Sequence, residues 1–164
     1  YDKKIFEKNG ISHRDLYFMD GTTPSEDIVE HFLDLVENEK GGVAVHCKAG
    51  LGRTGTLIAI YAMKHYRFPA RAFIGYIRIC RPGSILGPQQ AFLLQEQDKY
   101  FKIGDQYRAK KGLGDELIVK IEGLSLEDNN DVKYSENDKK IMEKGDTGQG
   151  NRLNKEKKKN KNKK

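Results

Sequence analysis

The chain has 164 residues, 37% of them apolar and 33% charged, against about 45–50% and about 25% in an ordinary globular domain. Its net charge of +6 is unevenly spread, +1 over residues 1–100 and +5 over residues 101–164, which excludes reading the whole molecule as a basic nucleic-acid binder. Two cysteines exclude a disulfide framework and a four-cysteine zinc site, and no apolar run reaches the ~18 residues of a membrane span.

The N-terminus, Tyr1-Asp2-Lys3-Lys4, carries no secretory leader, so a soluble protein of a reducing intracellular compartment is expected. A first residue other than Met points to a processed or excised piece. Leu16-Tyr17-Phe18-Met19 is a short apolar run that reads as a strand. Thr23, Pro24 and Glu26 fit a capping box with Pro at the first helical position, which predicts a helix over about 24–39. Its stripe is Ile28, Val29, Phe32, Leu33 and Val36, and Gly41-Gly42 stops it. Val43-Ala44-Val45-His46 reads as a buried strand ending at Cys47. A glycine-rich turn then feeds a helix over about 53–66. Further helices are predicted over 70–80, stopped by Arg81-Pro82-Gly83, and from Pro88 to about Phe101, the last with Phe92, Leu93 and Tyr100 on its inner face.

Beyond Gly104 the apolar residues thin out, apart from Leu117-Ile118-Val119 and Ile121. The last fifteen residues carry eight basic side chains and one acidic. Such a segment buries too little apolar surface to offset the entropy of ordering, so it is expected to be disordered. It could also serve as a nuclear-localisation or nucleic-acid patch. Four apolar helices but only two strand candidates make a poor sheet. Either further strands are present or an upstream part of the domain lies elsewhere.

The informative stretch is His46-Cys47-Lys48-Ala49-Gly50-Leu51-Gly52-Arg53-Thr54-Gly55. It lies between a strand and a helix N-terminus, where free N–H groups and the helix dipole favour an anion. Gly50, Gly52 and Gly55 let the backbone curl so that successive N–H groups point inward at an oxyanion the size of phosphate. Arg53, six residues after Cys47, offers a planar fork for two phosphate oxygens. A thiol in this setting should titrate below its usual ~8.5, within ~3.5–7.5. Cys47 is then a thiolate aimed at phosphorus, and the implied reaction is phosphoryl transfer to sulfur followed by hydrolysis of the cysteinyl-phosphate. The loop and Arg53 stabilise the equatorial oxygens, so no metal or other cofactor is expected.

Asp20, on a loop 27 residues upstream, is the candidate general acid and, in the second step, the base for water. Thr54 is placed to donate to the departing sulfur. Gln89 and Gln90 open another helix after a Gly-Pro turn, and either could hold the water. Residues 48–53 (Lys48, Ala49, Gly50, Leu51, Gly52 and Arg53) form the expected phosphate cradle. Lys48 is either a solvent lysine or a source of positive potential at the mouth. His46 reads as a structural residue that orients Cys47, and Cys80, in a helix among Ile77 and Ile79, as core packing.

These residues match the signature of the cysteine-dependent protein phosphatases. The run from Tyr1 to Tyr107 resembles the catalytic domain of the cell-division-cycle-fourteen family of dual-specificity phosphatases, on Asp20 to Ser25, His46 to Leu57, Met63-Lys64-His65-Tyr66 and Arg78 to Gln90. The resemblance implies an α/β fold of the protein-tyrosine-phosphatase type, a parallel-rich central sheet flanked by helices with N-terminal strands missing. It implies a partial catalytic domain over residues 1–107 and a low-complexity tail over 108–164. It also implies Cys47 as nucleophile, Arg53 as phosphate ligand and Asp20 as acid. The glutamines fall in the family's water-positioning loop. Implied partners are phosphorylated proteins, with proline-directed phosphoserine and phosphothreonine, in cell-cycle control in the nucleus or cytoplasm. Two other readings compete. Lys48 suits a phosphoinositide phosphatase, although Leu51 stands where those enzymes often place a second lysine. The strand shortage suits a fragment that binds phosphate without turnover.

Overall fold

The computed structural model describes residues 2–113. The apolar residues 117–121, most of the expected tail and its basic end lie outside them. Five helices follow in order: α1 (Lys4–Glu7), α2 (Glu26–Asn38), α3 (Gly52–Tyr66), α4 (Ala70–Cys80) and α5 (Pro88–Lys111).

Helix α3 is the hub, touching α2, α4 and α5. Its sequence explains why. From Leu57 to Met63 it is apolar on nearly every side, and a helix without a polar face is stable only when surrounded. Ile60 and Met63 are wholly buried, each contributing roughly 1.5–3 kcal/mol of burial. Against them pack Val29, Phe32 and Leu33 of α2, Phe73 and Ile74 of α4, and Leu93 and Tyr100 of α5. The stripe expected on α2 is the face that packs inward, with Ile28 and Val36 half-buried at its edges.

Helices α3 and α5 approach so closely at Gly104 that a Cβ there would run into the Lys64 carbonyl. One turn on, Arg108 donates from Nη1 to the carbonyls of Lys64 (2.8 Å) and His65 (3.3 Å). Those carbonyls belong to the last turn of α3 and have no partner within the helix, so a buried guanidinium caps the negative end of its dipole. The Glu37 carboxylate of α2 accepts from Lys64 Nζ (2.5 Å) and meets His65 Nε2 (2.8 Å). Burial pushes the His65 imidazole down, against the pull of Glu37.

Four expectations need correction. The α/β fold with a parallel central sheet is not what the described residues form: they contain helices and no strand. Residues 16–19 and 43–46 are irregular, and no backbone hydrogen bond joins them in a ladder. A strand exists only beside a partner, and these two runs do not pair with each other. Val43 is 47% exposed, so the second run is not a buried strand either. The α2 cap is Ser25 rather than Thr23, and Ser25 makes no side-chain cap bond. Cys80 is exposed rather than core, because α4 turns Ile74 and Phe73 inward and leaves Ile79 outward at 84% exposure. Finally, α5 runs ten residues past Phe101, to Lys111. Gly104 does not stop it, since the missing side chain is what the α3 contact requires.

Candidate active site

The loop between Cys47 and α3 curls as its glycines imply. Gly50 has φ 70°, a conformation that costs glycine nothing, and its N–H donates to Cys47 Sγ at 3.1 Å. Leu51 is the N-cap of α3, so Gly52, Arg53 and Thr54 form the first turn, whose N–H groups have no carbonyl partner within the helix. Cys47 is half-buried.

Burial raises the Cys47 thiol, but the Thr54 hydroxyl, the N–H groups of Thr54 and Gly50 and the charge of Arg53 act the other way. The net direction is below the ordinary 9.0. Each of these groups favours the anion by donating to it or by positive charge. Thr54 Oγ1 is buried with no hydrogen-bond partner in bonding geometry, and its effect falls on the Cys47 thiol beside it.

Arg53 reaches back over the loop. Its Nη1 donates to the Phe18 carbonyl (3.2 Å), and its Nε lies 3.3 Å from Asp20 Oδ1. The latter is an ion pair bent out of hydrogen-bond geometry. Asp20 sits on a turn closed by Thr22 N–H and Thr22 Oγ1, both donating to the Met19 carbonyl (3.2 and 2.8 Å). Gly21, at φ 84°, makes the reversal possible. The acid expected from sequence, the arginine and the thiol are therefore gathered in one place.

The two glutamines separate. Gln89 is wholly buried at the start of α5; its Oε1 accepts from Leu86 N–H (3.0 Å) and its Nε2 donates to the Thr22 carbonyl (2.9 Å). Gln90 is buried beside it. Lys48 is exposed, and His46 lies with its ring centroid 6.3 Å from that of His13.

Two contributors were not found from sequence. Arg81 lays its guanidinium against Gly50, where any Cβ would collide with it; the arginine in Arg81-Pro82-Gly83 was read only as a helix stop. Ile85, wholly buried with φ 61°, supports the loop from behind. Its N–H donates to the Leu51 carbonyl (3.3 Å), and a Cβ on Gly55 would stand 2.9 Å from its Cγ1. A β-branched residue at positive φ is strained. Arg78 holds it there, donating to the Ser84 and Ile85 carbonyls, both at 3.0 Å. No propensity rule signals a strained isoleucine.

Comparison with known proteins adds the ancestry. A family model described as "Polymorphic toxin system, DSP-PTPase phosphatase" matches residues 2–67. The dual specificity protein phosphatase CDC14B of Mus musculus is 48% identical over 153 residues, covering 84% of this chain and 32% of the relative. CDC14A of Homo sapiens is 58% identical over 110 residues, covering 67% and 18%. The chain belongs to the CDC14 family. The tyrosine-protein phosphatase cdc-14 of Caenorhabditis elegans, 57% identical over 97 residues, covers 59% of this chain and 14% of itself. The chain thus spans about a third or less of the length of these CDC14 relatives.

Proposed function

We propose that this chain is a dual-specificity protein phosphatase that works through a cysteinyl-phosphate. The observation that carries the reading is the Cys47 sulfur, lowered in pKa and accepting the Gly50 N–H, with Arg53 beside it and Asp20 paired to Arg53. In the first step the Cys47 thiolate attacks phosphorus, the bond from phosphorus to the leaving oxygen breaks, and protonated Asp20 gives its proton to that oxygen. Arg53 exchanges its contact with Asp20 for two phosphate oxygens, while the loop N–H groups hold the equatorial charge. In the second step water attacks the phosphocysteine, the Asp20 carboxylate takes the proton, and the S–P bond breaks. Thr54 steadies the returning thiolate.

Phosphorylated proteins are the proposed substrates, supported by the CDC14 relatives being protein phosphatases. The proline-directed preference implied by the resemblance belongs to the same proposal, as do the roles of Cys47, Arg53, Asp20 and Thr54. No described helix is long and apolar enough to cross a membrane.

The test is Cys47→Ser in the full chain. Hydrolysis of an aryl phosphate should fall by ~10⁴-fold or more, while tungstate still binds. Retained turnover would end the reading. A phosphoserine-proline peptide should be hydrolysed faster than the same peptide with alanine after the phosphoserine, and faster than a soluble inositol phosphate.

A further inference from the structure

Gln89 has a task that the reaction scheme does not give it. Both ends of its amide are occupied: Oε1 by the Leu86 N–H and Nε2 by the Thr22 carbonyl. A wholly buried side chain with its acceptor and one donor committed is poorly suited to holding a water that must come and go. Its partners connect three segments. Leu86 and Gln89 belong to the entry of α5, Thr22 closes the Asp20 turn 67 residues away, and Gly52 opens α3. The approach to Gly52 is close, since a Cβ there would stand 2.7 Å from Gln89 Oε1.

The Asp20 turn, Met19 to Thr22, is mostly exposed. It is held at one side by Arg53 Nη1 on the Phe18 carbonyl and at the other by Gln89 Nε2 on the Thr22 carbonyl. The first grip belongs to a residue that must turn to phosphate during the reaction. The second comes from a buried amide with no such duty. We infer that Gln89 is a positioning residue for Asp20, a fixed tether that keeps the acid turn over the loop when Arg53 engages the substrate. This inference rests on the phosphatase reading.

The test is the dependence on leaving group. A proton donor matters for phenyl phosphate, whose phenoxide is a poor leaving group, and hardly at all for 2,4-dinitrophenyl phosphate. Since kcat/KM reports only the steps through phosphoryl transfer to sulfur, water positioning does not enter it. In the full chain, Gln89→Met should lower kcat/KM for phenyl phosphate by about 10- to 100-fold and that for the dinitrophenyl ester by less than about threefold. Asp20→Asn should show the same split, and the double variant should add little to it. Equal losses on both esters, or no loss on either, would overturn the tether.

Should Gln89→Met fail to fold, Gln89→Asn shortens the side chain by one methylene, so that it no longer reaches Thr22. For either variant, hydrogen exchange of the Thr22 amide should quicken while Ile60 and Met63 in α3 stay protected. Exchange that quickens at both places, or at neither, counts against the tether. This measurement needs no turnover, so a chain without phosphatase activity would refute that reading and still leave the tether judged by exchange.

Discussion

Residues 2–51 and residues 52–113 are held together differently. The second stretch is almost continuous helix, α3, α4 and α5, with Ile60, Met63, Phe73 and Leu93 at its centre. The first contains one long helix, the single turn of α1 and otherwise irregular chain, including the segments that bear Asp20 and Cys47. The contrast teaches where backbone satisfaction comes from. A helix closes its hydrogen bonds within the segment, so an apolar stripe is enough to seat it. An extended run depends on a neighbour for its backbone bonds. The site lies on the seam, with Cys47 and Asp20 from the irregular stretch and Arg53, Thr54 and Gln89 from helix starts.

After the loss of the Cys47 thiol, the largest effect expected at that seam is that of Arg53→Ala. It removes the grip on Phe18 and the cation beside Cys47 together, and turnover should fall by about 10³-fold or more. A steady-state assay that found less than tenfold would mean the helical side contributes little to the chemistry. Next comes Gly104→Ala, which probes the helical stretch alone. The added methyl meets backbone, which cannot swing aside, so stability should fall by about 3 kcal/mol and the apparent Tm by roughly 10 °C or more. An unchanged melting curve would show that the α3–α5 approach is looser than described.

Thr54→Val sharpens the contrast at the sulfur. The hydroxyl favours the thiolate, so its loss should raise the Cys47 pKa. The sign follows from the native state: the pKa is lowered, so the thiolate persists below pH 9.0 and is lost as pH falls through the native value. In the variant, iodoacetamide alkylation of Cys47 should therefore reach half its maximal rate at a higher pH. A midpoint that did not move would remove Thr54 from the account. Smallest of all, Ile79→Ser on the outer face of α4 should change stability by less than about 0.5 kcal/mol, measured by urea unfolding.

Much of this was legible in the chain itself. The stripe Val29, Phe32, Leu33 announced α2, and Ala70 and Cys80 were recognised as the ends of α4, because helical periodicity is local information. The cradle was legible for the same reason. Cys47, three glycines and Arg53 lie within nine residues, and a turn that short has few ways to fold. The end expected near Phe101 fell short of Lys111, since a thinning of apolar residues in one dimension does not show that Gly104 and Arg108 hold the next turns against α3. Cys80 misled because an apolar environment in sequence need not be one in space.

The sequence by itself determined the helices, the curl of the glycine-rich turn before α3 and the residue types set along it, since each depends on contacts a few residues apart. Only the tertiary structure decided that residues 16–19 and 43–46 stay unpaired, that Arg81 and the strained Ile85 brace the loop, and that Gln89 spends its amide on Thr22. Those outcomes depend on which distant backbone groups meet, and a carbonyl 67 positions away leaves no trace in the local pattern of a chain.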